Sequence, residues 1–183
     1  MNVSTLMSCT GASIANATKF ADIIDAAMDE YEINTPARQA AFLAQIGHES
    51  GGLRYVCELW GPTQAQVRYE GRSDLGNTEE GDGHRFRGRG LIQITGRDNF
   101  TKVSEALGID FVSTPELLSE PVNAARSAGW FWKSRGLNEL ADFGDYTRIT
   151  RRINGGFNGL EERLALWDSA KDALAETRQG DLA

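Results

Sequence analysis

The chain has 183 residues, of which 40% are hydrophobic and 25% charged, a composition typical of one globular domain with room for a sizeable core. Its net charge of −7 argues against binding of nucleic acid through phosphate neutralisation and against a module held on anionic lipid. No stretch approaches the roughly 20 apolar residues that cross a bilayer. We therefore predict a single domain over residues 1–183, with no nucleic-acid partner and no stable membrane association.

The first half of the chain predicts two helices. Residues 14–30 carry apolar side chains at helical spacing. In the next segment Thr35 is a good N-cap, Pro36 a good first residue and Gly51 a good stop signal. This second helix is apolar on most sides, which predicts that it lies at the centre of the core.

The middle of the chain is different. Residues 69–90 are rich in Gly, Asp and Asn, and a polar loop of this length is usually functional or mobile. "LIQIT" at 91–95 is typical of a short extended run, as in one half of a small hairpin, which would place Gln93 and Thr95 on one side. The class is thus mainly α with at most a small β-hairpin. Further helices are predicted at 98–107, 121–135, 146–153 and 160–177.

Glu49 stands in the last turn of the predicted central helix. The negative end of the helix dipole and apolar burial both favour the protonated acid, as a general acid requires. Gly51 and Gly52 leave room for a ligand beside it. The alternative is a structural glutamate paired with an arginine such as Arg163, and position alone leaves the two readings open.

Glu58 follows beyond the glycine turn, far enough along the chain to face Glu49 across a cleft. Two carboxylates in one cleft are typical of glycoside hydrolysis. The alternative is that Glu58 is an ordinary surface residue. Glu70 lies beside the polar loop and is a second candidate, while Glu79 and Glu80 are most simply solvated.

His48 precedes Glu49 as in the zinc-protease motif, but that motif needs a second histidine where this chain has Gly52. The one other histidine is His84, and no cysteine pair has ligand spacing. We therefore predict neither a metal nor a cofactor. His48 is expected to hydrogen-bond near Glu49 or to pack in the core, and the two cysteines to remain free thiols.

Neutral hydrogen-bonding side chains of the kind that hold sugars occur in two later motifs. Turn formation or helix capping is the alternative role for each of them. Five arginines cluster around the polar loop. They would bind carboxylates of the peptide stems of peptidoglycan, or pair with acids of the loop itself. The amides are Gln93, Asn99, Asn154 and Asn158, and the arginines are Arg72, Arg85, Arg87, Arg89 and Arg97.

Three motifs in order, "AFLAQIGHESGGLRYVCELW", "GRGLIQITGRDNF" and "INGGFNG", resemble glycoside hydrolase family 19, which contains plant chitinases and bacteriophage endolysins. The intervening loop resembles the endolysin branch. The resemblance covers about residues 35–165 and implies a lysozyme-like, two-lobed helical fold with a central cleft.

The resemblance also implies roles for individual residues. It makes Glu49 the general acid, Glu58 the base that activates water and Thr95 the hydroxyl that holds this water, with inversion at the anomeric carbon. The spacer between the two glutamates is shorter than in plant chitinases, so Glu70 stays a reserve assignment for the base. Asn158 stands where chitinases carry a further acid. Substrate-binding positions are His48, Gln93, Asn99, Asn154 and Arg163, the last of which steadies the acid.

The function expected from this resemblance is that of an endolysin, a muramidase-type enzyme that cleaves peptidoglycan strands and lyses the host cell. The N-terminus lacks the early basic region and apolar run of a Sec signal, so we expect synthesis in the cytoplasm and holin-type release to the periplasm and wall. We expect a monomer without a separate wall-binding module. Alternatives are a chitinase of the same family, a lytic transglycosylase and a non-catalytic glycan-binding module.

Overall fold

The computed structural model describes residues Met1–Asp181, and most of them are helical. Within this range β structure is limited to isolated bridges that join Cys57 to Arg89 and Arg89 to Ile94. The prediction of a mainly α protein with at most a small β element is confirmed. The helices of the described residues are α1 (Val3–Thr10), α2 (Ile14–Glu30), α3 (Pro36–Glu49), α4 (Gln64–Val67), α5 (Asp82–Arg85), α6 (Arg97–Leu107), α7 (Pro121–Ser134), α8 (Leu137–Asp142), α9 (Tyr146–Asn154) and α10 (Leu160–Asp181).

The chain forms two compact units. Unit 1 comprises residues 1–54 and 129–183, and unit 2 comprises residues 55–128. Helix α7 runs from unit 2 into unit 1. The prediction of a single catalytic domain over residues 1–183 stays a prediction.

Unit 1 is built around α3. Thr35 accepts a hydrogen bond from the Arg38 amide at 3.3 Å, which confirms the predicted N-cap, and Pro36 is the first helical residue. Residues 40–47 are all buried, with α1, α8 and α10 packed against the helix. The prediction of a central helix is therefore confirmed. This burial brings the end of α3, and Glu49 with it, to the edge of the unit 1 core.

Unit 2 contains less regular structure and a smaller core. Phe86 and Phe100 pack edge to face with ring centroids 5.2 Å apart. The polar loop is tied to α6 by buried Asp82, whose carboxylate accepts two hydrogen bonds from Arg97 at 2.9 and 2.6 Å. The loop of residues 69–90 is thus held to α6 by charge pairs together with the packing of Phe86 on Phe100.

The predicted extended run at 91–95 is not formed. Residues 91–93 make a turn, and Gln93 has φ +56°, so side chains do not alternate here. Leu91, Ile92 and Ile94 are all buried. A short continuous apolar run has the same sequence pattern in a buried turn as in a buried strand, which explains the wrong prediction.

Two further observations concern the chain as a whole. Within the described residues, no helix combines the length and apolar character needed to span a membrane. Cys9 and Cys57 are free thiols, as predicted. Burial raises the pKa of Cys9 to about 12, which makes this thiol inert at neutral pH.

Candidate active site

In unit 1, Glu49 forms an ion pair with Arg163. Nη2 of Arg163 donates to Oε1 of Glu49 at 2.5 Å. The Glu49 side chain is 18% exposed and the Arg163 side chain 3% exposed, so the pair lies at the edge of the core with only the carboxylate reaching solvent. The pairing considered from the sequence is present, and it leaves part of the carboxylate open to a ligand.

Arg163 is fixed by two further contacts in unit 1. Its Nε donates to the carbonyl of Asn158 at 3.2 Å, and its Nη1 donates to Oε1 of Gln45. Gln45 in turn donates to the hydroxyl of Thr150 at 2.8 Å, and both are fully buried. Since the guanidinium is enclosed by protein groups, its geometry serves to hold Glu49 and leaves little surface for contact with a glycan.

His48 lies beside this pair, half-buried in the last turn of α3. Gly159 packs closely on its ring, because a Cβ atom at Gly159 would lie 2.4 Å from Cε1 of His48. Burial, together with the charge of Arg163, lowers the pKa of His48 below its ordinary value. The imidazole is therefore neutral near pH 7 and offers one donor and one acceptor.

The motif "INGGFNG" contributes two asparagines with different surroundings. Within the described part of the chain, buried Nδ2 of Asn154 has no hydrogen-bond partner. A buried amide donor without a partner is costly, which makes Asn154 suited to bind an acceptor on a ligand. Asn158 is exposed and supplies its backbone carbonyl to Arg163.

In unit 2, Glu58 is held by neutral donors. Oε1 accepts hydrogen bonds from Nε2 of Gln66 at 3.0 Å and from the hydroxyl of Tyr69 at 3.4 Å. Oε2 accepts from the amide of Gly88 at 3.1 Å, and the Glu58 amide donates to the Gly88 carbonyl at 2.8 Å. The half-buried carboxylate is thus oriented by three fixed donors, none of which is a cation.

Gln66 is the residue that orients Glu58 most directly. Its Oε1 accepts from the amides of Thr63 and Gly61 at 2.8 and 3.2 Å, while its Nε2 also donates to the carbonyl of Leu59 at 2.7 Å. The side chain is 4% exposed and uses both ends of its amide. This network fixes which end faces Glu58.

The backbone around Gly88 brings Gln93 next to Glu58. A Cβ atom at Gly88 would lie 2.7 Å from Oε1 of Gln93 and 3.4 Å from Oε2 of Glu58. Nε2 of Gln93 donates to the carbonyls of Gly90 and Tyr55 at 2.9 and 3.3 Å. Gln93 therefore presents its carbonyl end beside the carboxylate.

Thr95 and Asn99 form a chain of contacts behind Gln93. The Thr95 hydroxyl donates to the backbone carbonyl of Gln93 at 3.0 Å, and Nδ2 of Asn99 donates to the backbone carbonyl of Thr95 at 2.7 Å. All three side chains are partly accessible. The hydroxyl of Thr95 keeps its lone pairs for a donor such as water.

Glu70, the reserve candidate for the base, anchors the loop instead. Its two carboxylate oxygens accept from the amides of Gly81 and Gly83 at 2.6 and 2.8 Å. A Cβ atom at Gly83 would lie 2.7 Å from Glu70, so the loop backbone is pressed against this side chain. These contacts give Glu70 a structural role and leave Glu58 as the better candidate.

Three supporting residues were not singled out from the sequence: Gln45, Gln66 and Tyr69. A signal existed for Gln66, since Thr63 and Gln66 form the capping-box pattern at the start of α4. Gln45 is a polar residue on an otherwise apolar helix face, which is a weaker signal. No group of three metal-binding side chains occurs within the part of the chain that the structure describes.

Comparisons with known proteins show which family this chain resembles. The model of glycoside hydrolase family 19, chitinase class I, matches residues 7–144. A "glycosyl hydrolase family 19 domain-containing protein" of Haemophilus influenzae is 38% identical over 159 residues, covering 71% of this chain and 76% of that protein. An endochitinase of Arabidopsis thaliana is 35% identical over 118 residues, covering 64% of this chain and 39% of the relative. The chain thus spans less than half the length of that plant protein.

The fold is shared with solved structures. Chitinase C from Streptomyces griseus HUT6037 superimposes with a TM-score of 0.73 at 20% sequence identity, covering 95% of this chain and 76% of the other. At this identity the likeness concerns the fold alone. It agrees with the helical, lysozyme-like architecture expected from the sequence.

Proposed function

The chain belongs to glycoside hydrolase family 19 and is a glycoside hydrolase, and from that premise we propose that it cleaves the β-1,4 bonds of bacterial peptidoglycan as an endolysin. The observation that carries the proposal is the placement of the two candidate carboxylates. Glu49 is held by a buried arginine and Glu58 by neutral donors, and both side chains stay partly accessible. Carboxyl groups that are fixed and open to a ligand can exchange protons with it, and the motif resemblance gives Glu49 the role of the acid and Glu58 that of the base.

The proposed reaction is hydrolysis with inversion. Glu49 gives its proton to the leaving glycosidic oxygen, and Glu58 takes a proton from the water that attacks the anomeric carbon. Thr95 holds this water through its hydroxyl. Inverting enzymes in general hold their two carboxyl groups roughly 6.5–9.5 Å apart, which leaves room for this water.

The substrate is held by neutral groups in this proposal. Gln93, Asn99 and His48 offer hydrogen bonds to hydroxyl and N-acetyl groups, and the unpaired Nδ2 of Asn154 adds a further donor. Such groups suit the hydroxyl and N-acetyl groups of a glycan strand.

The same proposal assigns a biological role. The enzyme acts as a monomer on the cell wall, after synthesis in the cytoplasm and holin-type release, and its activity lyses the host. The motif resemblance to bacteriophage endolysins supports this role. Cell fractionation with and without a co-expressed holin tests the release step, since the protein should reach the wall only when the holin is present.

A chitinase is the second candidate function. The matching family model is described as chitinase class I, and the Arabidopsis thaliana relative is named an endochitinase. Chitin and peptidoglycan share the β-1,4 linkage between N-acetylated sugars, so the same carboxylates would serve both. Parallel assays on purified sacculi and on chitin oligomers distinguish the two functions.

The deciding experiment measures turbidity loss of outer-membrane-permeabilised Gram-negative cells, with mass spectrometry of the released fragments. We expect lysis by the wild type and a loss of about 10²–10⁴-fold in Glu49→Gln and in Glu58→Gln. Exposed Glu161→Gln in α10 and Glu105→Gln in α6 are the matched controls and should retain activity.

The fragments distinguish the remaining alternatives. Reducing muramic acid ends support hydrolysis, whereas 1,6-anhydro ends that persist in Glu58→Gln would assign the protein to the lytic transglycosylases. Binding to sacculi without release of fragments by the wild type would assign it to the glycan-binding modules.

A further inference from the structure

Unit 2 contains a cavity of about 630 Å³ that is lined mainly by charged side chains. Three arginines contribute to it against two glutamates, which makes it a positive site in a chain of net charge −7. This volume lies within the usual range of small-ligand sites. The charged and titratable residues of this arginine pocket are Arg85, Arg87, Arg89, His84, Glu80 and Glu116.

The arginines of the pocket are only partly satisfied. Arg89 is 7% exposed, and its Nη1 donates to Sγ of Cys57 and Oγ of Ser119 at 3.3 and 3.2 Å. Within the described residues, the buried Nε atoms of Arg87 and Arg89 have no hydrogen-bond partner. Unpaired donors on partly or fully buried arginines are costly, and an anion with oxygen acceptors beside these guanidinium groups would offset that cost.

The charges in the pocket also favour the binding of an anion. Burial lowers the pKa of His84, and the charges of Arg87 and Arg89 lower it further. Burial also lowers the pKa of Arg89, with Arg87 adding to the effect and Glu116 opposing it. Arg87 and Arg89 therefore repel each other, and burial adds to the cost of the charge on Arg89.

The pocket adjoins the candidate base. Gly88, whose amide and carbonyl both bond to Glu58, stands between Arg87 and Arg89 in the chain. An anion in the pocket would therefore lie beside the backbone that orients Glu58.

A row of rings makes a second connection between the pocket and Glu58. The Tyr69 hydroxyl donates to Glu58, and the ring centroids of Tyr69 and Trp60 are 6.4 Å apart. Trp60 and His84 have centroids 5.0 Å apart, and His84 Nε2 lies 3.1 Å from Nη1 of Arg87.

We propose that the arginine pocket binds a carboxylate of the peptide stem carried by the muramyl sugar of peptidoglycan. This inference rests on the proposed function, because it concerns the substrate of the same enzyme. Chitin carries no ionised group, whereas each muramyl residue can carry a peptide with several carboxylates. Arginine binds carboxylates through paired N–H donors, so the pocket gives this chain a basis for preferring peptidoglycan over chitin.

A binding measurement tests the pocket without catalysis. Isothermal titration of the wild type with the free tripeptide L-Ala–γ-D-Glu–meso-diaminopimelate should give saturable binding. Arg87→Gln should weaken it by about tenfold, as expected when a charged hydrogen bond is lost. Lys102 is an exposed residue of α6 in the same unit, and Lys102→Gln, which also removes one positive charge, should leave binding unchanged.

Two further arms keep the binding test independent of folding. Glu116→Gln removes an acid from the pocket and should tighten binding severalfold, a gain that misfolding does not produce. The tripeptide with its carboxylates amidated should not bind. Equal binding of the amidated peptide, or unchanged binding by Arg87→Gln, would overturn the proposal.

A kinetic comparison separates this proposal from the proposed function. Glycan strands are prepared with their stems and, after amidase treatment, without them. Wild-type hydrolysis of the stem-free strands supports the proposed function, and Arg87→Gln should raise KM about tenfold on stem-bearing strands only. An equal loss on both substrates would show that Arg87 merely supports Glu58, and it would overturn the stem proposal alone. Cleavage of chitin oligomers but neither peptidoglycan substrate would overturn both proposals.

Discussion

Arg163 donates to Glu49 from one end of its guanidinium and is held at its other nitrogens by Gln45 and the carbonyl of Asn158. The arginine thus fixes the carboxylate from the core side, while 18% of the Glu49 side chain stays exposed. A carboxylate that is oriented from behind and open in front has the geometry of a group that exchanges a proton with a ligand.

Replacement of Arg163 should affect both stability and activity. Arg163→Gln leaves Glu49 without its cation at the edge of the core, and loss of one partner of a buried pair costs about 3–5 kcal/mol. Urea denaturation should show this loss. Hydrolysis should fall by about 10²-fold, because the carboxylate is no longer positioned.

Arg148→Gln is the control for this change. Arg148 pairs with Asp145 at 3.6 Å, and its side chain is 62% exposed, so the free energy of unfolding should change by less than about 1 kcal/mol. If Arg163→Gln is no less stable than Arg148→Gln, the ion pair does not hold Glu49 in the way described.

Gln66 should act on the reaction through Glu58. Gln66→Ala removes a donor to the carboxylate and leaves the amides of Thr63 and Gly61 without their acceptor. We expect kcat to fall about tenfold with little change in KM, and stability to fall by about 2 kcal/mol. Steady-state kinetics and denaturation measure the two effects.

The comparison for Gln66 lies in the same helix. Gln64 is exposed in α4, so Gln64→Ala should leave kcat and stability near the wild-type values. A normal kcat in Gln66→Ala would mean that Tyr69 and the Gly88 amide orient Glu58 without help.

Much of the helical architecture was predictable from local signals. Thr35 and Pro36 marked the start of α3, and the apolar residues along it indicated burial on most sides. These signals succeed because capping and periodic burial are properties of neighbouring residues. The pairing of Glu49 with Arg163 was open from the sequence, since it joins residues 114 positions apart.

The surroundings of Glu58 were less accessible to sequence reasoning. The apolar run at 91–95 predicted an extended segment, but the chain turns there and Gln93 adopts φ +56°. Both a strand and a buried turn satisfy such a run, and only tertiary packing chooses between them. The contact of Gln93 with the Glu58 region through Gly88 follows from this turn.

The close approach of α1 to α3 depends on Gly47. Replacing glycine by alanine within a helix usually stabilises it by about 1 kcal/mol. A Cβ atom at Gly47 would lie 2.6 Å from the carbonyl oxygen of Thr10, a backbone atom that moves only with α1. Gly47→Ala should therefore destabilise the protein by about 2 kcal/mol in urea denaturation.

Gly156→Ala serves as the comparison for Gly47. Apart from Gly156 and its two chain neighbours, no heavy atom of the described residues lies within 4 Å of the Cβ position at Gly156, and its φ is not in the left-handed region. This variant should match the wild type in stability. If Gly47→Ala is as stable as Gly156→Ala, the contact between α1 and α3 is loose enough to absorb a methyl group.

Both histidines should make the protein less stable in mild acid. Burial lowers the pKa of His48, with Arg163 adding to the effect, and burial with Arg87 and Arg89 lowers that of His84. Histidine in the unfolded chain has a pKa of about 6.5, so between that pH and the lower pKa of the folded state the unfolded chain binds more protons than the folded protein. The free energy of unfolding should therefore fall as the pH decreases through this interval. Below the folded-state pKa the histidines cause no further fall.

Proton NMR of the two imidazoles tests this directly. Both pKa values should lie below about 6.5. Arg87→Gln should raise the pKa of His84, whose ring nitrogen lies 3.1 Å from Arg87 Nη1, and leave that of His48 unchanged. Urea midpoints at several pH values should show a weaker dependence between neutral pH and pH 5.5 in a His48→Gln, His84→Gln double variant. An equally steep dependence in the double variant would mean that carboxylates, not the histidines, control stability in this range.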